Sequence, residues 1–408
     1  MNITFFYPSI ELGGAELLFA RMAIFLSTKG HEITVIDSNK KIMFNLCEGY
    51  NLLRKTIDSD ERILVENTHL VVFANNTFNL NDYLDIAQNV SFLFWNVHPL
   101  NVILIPPLIS GFLLKNEGVR LKWFNSFFFW VIYKKRREFI KKAIEKRAFF
   151  IMDGECCNAI SNHYSLALDK NENVFLPVPI TLANNKTTIS EINKNTIINI
   201  FWYGRLCDFK YHALLRLVDE LSECNFSFKL HIIGDGDKSD LVINKCTESN
   251  IDFKHYGTLE NSVALQLIAN TAQCVFAMGT SALECASLGI PTILAPVSYT
   301  PIKRKIKYEW LYETKQYTLG RFIQKEDYFG DVGFETILNK MLHDYQNIAS
   351  ASKDYVVSNH DISVIAQQLI GRLKCSNITK NDLVIENKGF IYHSYHFFKK
   401  MVYKFLKR

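Results

Sequence analysis

The stretch QCVFAMGTSALECASLGIPTIL, residues 273–294, indicates the fold of the second half of the chain. Its first apolar residues predict a buried strand, the Gly-Thr-Ser turn opens a short helix, and Gly289 and Pro291 lead into another strand. A helix that connects two buried strands is typical of a parallel sheet with helices on both faces. One carboxylate, Glu284, lies on this helix among small and apolar neighbours, and we therefore consider it a candidate functional residue.

The same alternation of strands and helices occurs in two series along the chain. The first series opens with the strand ITFFY, a glycine loop, the helix AELLFARMAIFLSTKG and the strand EITVID. The second opens with the strand IINIFWY, after a segment rich in Asn, Thr and Lys. We therefore predict an α/β protein of two doubly wound, Rossmann-like domains. Their predicted ranges are 1–180 for the first domain, 181–196 for a linker, 197–375 for the second domain and 376–408 for a C-terminal segment.

The composition of the 408-residue chain is that of a globular protein, with 48% hydrophobic and 21% charged residues. Its nine cysteines form no CxxC pair and no compact His/Cys cluster, which predicts reduced thiols in a cytosolic protein. The N-terminus has no basic region before an apolar stretch, so we expect no signal peptide. The longest apolar stretches fall short of the roughly 20 residues that span a bilayer, so we expect no transmembrane helix.

Glycines and cations that follow predicted strands form a first set of candidate binding residues. Gly13 and Gly14 open the first helix, where backbone amides favour an anion, although a tight turn alone also explains them. Arg205 and Lys210 lie on one loop, from which two cations can approach a diphosphate, although a solvated loop is the alternative. Ligands of doubly wound sheets bind at the carboxyl ends of the strands, which favours the binding interpretation.

Two other strand ends carry a glycine pair and a histidine. Gly234 and Gly236 form a turn that either admits a flat base close to the backbone or only reverses the chain. His98 follows a strand of the first domain, and a histidine in that place can be structural or can contact a substrate.

The turn formed by Gly279, Thr280 and Ser281 opens the helix that carries Glu284. Amides and hydroxyls at such a turn suit a phosphate group. Glu284 then lies in the first helical turn, where it would accept two adjacent hydroxyls, as on a ribose. The alternative is a partial capping box, with Ser281 at the N-cap and Glu284 three residues later.

Residues 123–147 combine aromatic and basic side chains. Phe, Trp and Tyr dominate 123–133, and 134–147 contains eight Lys or Arg against two Glu. This composition favours a surface helix at the interface of an anionic membrane, and a core-facing helix with a solvated basic back is the alternative. The tail 391–408 is also basic and aromatic. No recognisable nucleic-acid-binding module accompanies these basic segments, so we expect no nucleic-acid partner.

Taken together, these motifs resemble those of the retaining group-1 glycosyltransferases with GT-B architecture, which build bacterial polysaccharides and glycolipids. The motifs are GGAE at 13–16, GRLCDFK at 204–210, IIGDGD at 232–237 and MGTSALECASLGIPTIL at 278–294. The resemblance implies two Rossmann-like domains that face a central cleft, with the C-terminal segment crossing back to the first domain.

The resemblance also implies roles for single residues. Arg205 and Lys210 would bind the diphosphate of the donor, Gly279 would lie against phosphate, and Glu284 would hold the nucleotide ribose. We place Gly234 and Gly236 in the same donor site.

In the first domain, Gly13 and Gly14 would border the donor phosphates, and His98 would contact the transferred sugar near the reacting carbon. The sequence departs from the family at Phe276, where a glutamate usually contacts the sugar hydroxyls. The amides and hydroxyls of the Gly-Thr-Ser turn would then have to hold the sugar.

The implied function is transfer of a hexose, with retention, from a UDP- or GDP-sugar to a lipid-linked, lipopolysaccharide, O-antigen or capsule acceptor. No metal and no cofactor are expected. The protein would be cytoplasmic and would associate with the inner leaflet of the membrane through 123–147 and 391–408. Two alternatives remain: a GT-B nucleotide-sugar epimerase, and a catalytically silent nucleotide-sugar-binding partner in a membrane-associated polysaccharide complex.

Overall fold

The chain forms two compact units in the computed structural model, which describes residues 1–10, 12–57, 61–105, 119–168, 172–182 and 197–384. The first unit comprises Met1–Leu176 and the chain from Ala366 onward, and the second comprises Pro177–Ile365. The sequence predicts the corresponding boundaries at residues 180 and 375, and most of the predicted linker lies outside the described residues. The described part of the C-terminal segment belongs to the first unit.

A parallel sheet of six strands forms the first unit, in the order β3-β2-β1-β5-β7-β8, and β4 and β6 form a separate parallel pair. The strands are β1 Asn2–Phe6, β2 Glu32–Asp37, β3 Leu53–Thr56, β4 Ile63–Val65, β5 His69–Phe73, β6 Leu84–Ile86, β7 Ser91–Asn96 and β8 Phe149–Ile151. The helices are α1 Gly14–Thr28, α2 Ile42–Leu46, α3 Leu80–Tyr83, α4 Val119–Phe128, α5 Trp130–Glu145 and α6 Gly154–Tyr164.

The central strands of this sheet are almost continuous apolar runs, because both of their faces are covered. Phe5 on β1 and Val71 on β5 are fully buried neighbours in the parallel register. The predicted strand EITVID coincides with β2. The sequence analysis missed β3, since this edge strand reads LRKT and exposes all four residues. An edge strand needs no apolar pattern, and only its backbone pairing with β2 identifies it.

A parallel sheet of five strands forms the second unit, in the order β11-β10-β9-β12-β13. The strands are β9 Ile198–Tyr203, β10 Phe228–Ile233, β11 Phe253–His255, β12 Cys274–Ala277 and β13 Thr292–Leu294. The helices are α7 Tyr211–Ser222, α8 Ser239–Glu248, α9 Asn261–Thr271, α10 Thr280–Ser287 and α11 Phe334–His360, which is interrupted at Asp344. The last helix, α12 Ile362–Cys375, begins in the second unit and belongs to the first unit from Ala366 onward. The two parallel sheets with their connecting helices confirm the predicted α/β class.

Phe276 lies in the hydrophobic core of the second unit. It is the third residue of β12 and is fully buried, with ring centroids 5.8 Å from Trp202 and 5.9 Å from Phe334. A carboxylate at this position would lose its hydration among aromatic rings, and burying a charge in this way is strongly unfavourable. The phenylalanine is therefore part of the packing of this sheet.

Helices α4 and α5 of the first unit have one buried and one exposed face. Arg136 belongs to the buried face: its guanidinium lies 4.3 Å from the ring of Phe78 and donates to the carbonyl oxygen of Val102. On the other face, large aromatic side chains and lysines reach the solvent. The exposed aromatics are Trp123, Phe127, Phe128 and Trp130, and the exposed lysines are Lys134, Lys135, Lys141 and Lys142. The basic run thus divides between the two faces, and Lys134, one helical turn after Trp130, is the lysine beside the exposed aromatic cluster.

Candidate functional site

Three loops leave neighbouring strands at one edge of the second sheet. Tyr203, the last residue of β9, pairs with Ile233 at the end of β10 and with Ala277 at the end of β12. The loops that start at Gly204, Gly234 and Met278 consequently lie side by side. The parallel register explains why motifs about 30 and 70 residues apart in sequence meet at the carboxyl edge of this sheet.

Gly234 and Gly236 allow two of these loops to pack backbone against backbone. A Cβ on Gly234 would lie 2.1 Å from the carbonyl oxygen of Gly204, and a Cβ on Gly236 would lie 2.3 Å from that of Leu206. Gly234 also has a φ of +124°, which residues with a Cβ rarely adopt. Leu206 donates its N–H to the carbonyl oxygen of Asp235 at 3.0 Å. The two glycines therefore fix the loop that carries Arg205.

Arg205 and Lys210 bring two positive charges to this edge. Arg205 is exposed and Lys210 is half-buried, with its Nζ 3.6 Å from the point where a Cβ of Gly204 would lie. Burial lowers the pKa of Lys210, and the charge of Arg205 lowers it further. In the described part of the chain, neither cation forms an ion pair with a carboxylate. Two neighbouring cations without a carboxylate partner favour an anionic ligand.

The turn at Gly279 presents the start of α10 to the same edge. Gly279 is the N-cap, with a φ of +68°, and its own N–H donates to the carbonyl oxygen of Leu319 at 2.7 Å. The amides of Thr280 and Ser281 follow as the first two of the helix, and no acceptor for them occurs among the described residues. These two amides, rather than that of Gly279, suit a phosphate oxygen.

Glu284 lies in the second turn of α10, so its predicted place in the first turn is wrong. Gly279 rather than Ser281 is the N-cap, and the first turn contains no acidic residue, so the alternative of a capping box is wrong as well. The positive φ required at the entry to the helix explains the shift, because glycine adopts it without strain. The side chain of Glu284 is buried, and its Oε2 accepts a hydrogen bond of 3.0 Å from Nδ2 of Asn261.

Asn261 and Tyr203 are site residues that the sequence analysis missed. Nδ2 of Asn261 donates to the hydroxyl oxygen of Tyr203 at 3.2 Å as well as to Glu284. Asn261 is the first residue of α9, and Tyr203 is the last residue of β9. Nothing in the local sequence distinguishes either residue, because the contacts join elements far apart in the chain.

Glu16 organises the glycine loop of the first unit. Its Oε1 accepts hydrogen bonds of 2.6 Å from the Tyr7 hydroxyl and from Ser9 Oγ. A Cβ on Gly13 would lie 3.0 Å from Oε2 of Glu16, whereas a Cβ on Gly14 would meet nothing within 4 Å. Gly13 thus leaves room for the buried carboxylate that ties the loop to the end of β1.

His98 lies two residues beyond the end of β7 and is exposed. Its Nδ1 is 3.2 Å from the backbone N–H of Leu100 and accepts from it, so the neutral ring carries its proton on Nε2. The bond from Leu100 favours this neutral form, since a protonated Nδ1 could not accept it. A neutral Nε2–H is a hydrogen-bond donor for a hydroxyl or an oxyanion.

Within the described ranges, no group of three or more His, Cys, Asp or Glu side chains has the arrangement of a metal site. In that part of the chain, Arg205, Lys210 and the start of α10 bring positive charge to the carboxyl edge of the second sheet.

Comparison with known proteins gives the fold. No family model matches the sequence, and no curated protein matches it. The chain is similar to Anabaena HepE in complex with UDP and glucose, with 14% identity over 92% of this chain and 99% of that chain, at a TM-score of 0.54. The chain has the GT-B fold. A second GT-B structure, of a mutant of S. aureus TarM in complex with UDP and other ligands, matches with 9% identity over 91% and 99% of the chains, at a TM-score of 0.56. The structure of the lipopolysaccharide outer core galactosyltransferase WaaB is also similar. It has 11% identity over 92% of this chain and 99% of that chain, at a TM-score of 0.50.

The predicted site residues are divided between the two units of the chain. In the second unit they lie on three adjacent loops and on the helix that follows the third: Gly234, Gly236, Arg205, Lys210, Gly279, Thr280, Ser281 and Glu284. In the first unit they follow β1 and β7, strands on either side of β5: Gly13, Gly14 and His98. Their roles toward a ligand remain predictions.

Proposed function

We propose that the protein is a glycosyltransferase that moves a hexose from a nucleoside-diphosphate sugar to an acceptor. The observation that carries this proposal is that the side chains of Arg205 and Lys210 lie at the same sheet edge as the amides of Thr280 and Ser281. A diphosphate has the charge for the two cations and the oxygens for the two amides. Glu284, one turn further along α10, is our candidate for the ribose.

The proposed chemistry is electrostatic. Negative charge develops on the leaving nucleoside diphosphate, and fixed cations and amides stabilise it without reorganising during the reaction. We propose retention of the anomeric configuration, with the acceptor hydroxyl attacking from the face that the diphosphate leaves. His98, as a neutral donor, is our candidate for contact with the transferred sugar. Our proposal uses no metal and no cofactor.

We propose a UDP- or GDP-sugar as the donor. The similarity to HepE in complex with UDP and glucose supports a uridine nucleotide. Phe276 is fully buried in the core and cannot contact the donor sugar. We therefore assign recognition of the donor sugar to the hydroxyls of Thr280 and Ser281.

One observation favours a second candidate function. The core position of Phe276 leaves the chain without the glutamate that usually contacts the donor sugar in the family it resembles. A protein that binds a nucleotide sugar but does not transfer it, as a partner in a polysaccharide complex, is compatible with that change. Such a protein would bind the nucleotide sugar and release no nucleoside diphosphate from it.

The nucleotide site can be tested with Glu284→Ala. Loss of hydrogen bonds to a carboxylate costs about 1.5–3 kcal/mol, so we expect UDP or GDP to bind about 10- to 100-fold more weakly. Isothermal titration calorimetry with both nucleotides measures the affinity. Glu248→Ala, which removes an exposed carboxylate at the end of α8, is the matched control and should bind like the wild type. Equal affinities of the wild type and Glu284→Ala would contradict the assignment.

We further propose a lipid-linked or lipopolysaccharide acceptor, used by a cytoplasmic protein that binds the inner leaflet of the membrane. No helix in the described ranges is long and apolar enough to cross a membrane. The exposed faces of α4 and α5 support binding at the membrane surface: Trp123 stacks on Phe127 at 5.7 Å, and their exposures are 63% and 65%. Trp130 and Lys134 are one helical turn apart, which places a cation beside the aromatic cluster. The segment 391–408, predicted to contribute to the same surface, lies outside the described residues.

Charge reversal on α5 tests the membrane proposal. Each basic residue near an anionic surface contributes about 1 kcal/mol, so Lys134→Glu with Lys135→Glu should lower partitioning about 30-fold or more. Flotation with liposomes of phosphatidylglycerol and phosphatidylethanolamine measures it. Lys29→Glu with Lys40→Glu, at two exposed positions elsewhere in the first unit, makes the same change in net charge and serves as the control. If neither added salt nor the charge reversal on α5 lowers the fraction of protein bound to the liposomes, the proposal is contradicted.

A further inference from the structure

The carboxamide of Asn261 joins two separate parts of the candidate nucleotide site. One of its N–H groups donates to Oε2 of Glu284 at 3.0 Å, and the other donates to the hydroxyl oxygen of Tyr203 at 3.2 Å. Tyr203 immediately precedes the loop of Arg205 and Lys210, and Glu284 lies on α10. A single side chain therefore connects the strand that leads into the cationic loop with the proposed ribose-binding carboxylate.

The position of Asn261 argues against a role in the stability of its own helix. It is the first residue of α9, the N-cap is Glu260, and no side chain caps this helix. The residue is exposed, so its side chain fills no space in the core. Both donor groups of the carboxamide are directed instead at residues of the nucleotide site.

The bond to Glu284 restricts a flexible carboxylate. A glutamate loses rotamer entropy when a ligand fixes it, and that loss weakens binding. A donor 3.0 Å from Oε2 fixes the carboxylate before the ligand arrives. A charge-assisted hydrogen bond is also stronger than a neutral one, so it holds the orientation well. The Tyr203 hydroxyl in turn restrains rotation of the carboxamide.

We propose that Asn261 is a positioning residue for the ribose of the donor, acting through Glu284. The inference rests on the proposed function, because it assumes that Glu284 binds the two ribose hydroxyls. It adds that a carboxylate oriented in advance by Asn261 selects nucleotides that carry both hydroxyls. The donor class is accordingly a ribonucleoside-diphosphate sugar, and analogues that lack both ribose hydroxyls gain nothing from Asn261.

Binding of paired nucleotides to Asn261→Ala tests this role. We expect UDP, or GDP if that is the nucleotide bound, to bind about tenfold more weakly, as expected for a lost charge-assisted hydrogen bond. The 2′,3′-dideoxy analogue of the same nucleotide should bind the variant and the wild type equally. Asn261→Asp, which places a second carboxylate beside Glu284, should lose more affinity for the nucleotide than Asn261→Ala. Tyr203→Phe should lose less affinity than Asn261→Ala, because it removes only the restraint on Asn261.

Ser262→Ala is the matched control. Ser262 neighbours Asn261 on α9, and its Oγ donates to Glu260 at 2.7 Å rather than to the nucleotide site. It should bind all the nucleotides like the wild type. The thermal unfolding midpoints of Asn261→Ala and Ser262→Ala should agree, since neither side chain is part of the core.

A double-mutant cycle separates positioning from a direct contact with the nucleotide. In the Glu284→Ala background, Asn261→Ala should cause no further loss of affinity. Additive losses, or an equal loss for the dideoxy analogue, overturn the positioning role. If Glu284→Ala weakens binding and Asn261→Ala does not, this inference fails and the proposed function stands. If the wild type binds neither UDP nor GDP, both fail.

Discussion

Replacing Lys210 or Arg205 by alanine is expected to lower kcat/KM for release of nucleoside diphosphate about 100- to 1,000-fold, the range known for removal of one group that stabilises developing charge. The physical reason lies in the surroundings of the two side chains. No carboxylate in the described part of the chain neutralises them, and Lys210 is half-buried, so its charge acts on the ligand with little screening by water. Steady-state kinetics with a UDP- or GDP-sugar measures the loss.

The pH dependence gives a second measure of Lys210. Its lowered pKa means that it loses its charge at a lower pH than an ordinary lysine, so kcat/KM should fall as the pH rises through that pKa. Lys210→Arg keeps a charge at every accessible pH and should remain active further into the alkaline range. Lys229→Ala, which removes a lysine paired with Asp252 at 3.0 Å, is the control and should leave both the rate and the pH profile unchanged. If Lys229→Ala lowered kcat/KM as much as Lys210→Ala, the assignment of Lys210 to the diphosphate would be contradicted.

Gly234→Ala is expected to lower the free energy of unfolding of the second unit by about 3 kcal/mol or more. Backbone strain at a positive φ costs about 1–3 kcal/mol, and overpacking costs about 1–3 kcal/mol more. Both apply here, since φ is +124° and the new Cβ would lie 2.1 Å from the carbonyl oxygen of Gly204. Relief of that overlap must displace the loop of Arg205, so nucleotide binding should weaken as well. Urea and thermal unfolding measure the stability, and calorimetry measures the binding.

Gly371→Ala is the control for the glycine prediction. Gly371 lies in the part of α12 that belongs to the first unit, and a Cβ there would meet nothing within 4 Å. Alanine in a helix is favoured over glycine by about 0.5–1 kcal/mol, so this variant should be slightly more stable than the wild type. Gly236→Ala, with a Cβ 2.3 Å from the carbonyl oxygen of Leu206, should resemble Gly234→Ala. A Gly234→Ala protein as stable as Gly371→Ala would show that the loops do not pack as described.

The sequence predicted the fold well where burial imposes a pattern. EITVID coincides with β2, and the predicted strand IINIFWY begins one residue before β9, because strands covered on both faces must be apolar. The edge strand β11 was not predicted, since none of its three residues is buried. The parallel connection between strands then places every loop after a strand at one edge. That is why Arg205, Gly234 and Gly279 could be assigned to one site before any coordinates were known.

Contacts between distant segments could not be predicted from the sequence. Asn261 and Glu284 are 23 residues apart, and no periodic pattern relates them. Likewise, the bond from Gly279 N–H to Leu319 joins the turn to a distant loop, and the sequence did not indicate Gly279 as the N-cap of α10. Phe276 was recognised as a departure from the family that the sequence resembles, but only the structure shows that it packs against Trp202 and Phe334 in the core.

Release of nucleoside diphosphate from a panel of UDP- and GDP-sugars is the measurement that tests the proposed function most directly. We expect the wild type to release UDP or GDP slowly from at least one of them, because water competes as an acceptor when no sugar acceptor is present. We expect the Lys210→Ala and Glu284→Ala variants to lose this release. A wild type that neither binds nor cleaves any nucleotide sugar, with both variants behaving identically to it, would contradict the proposal.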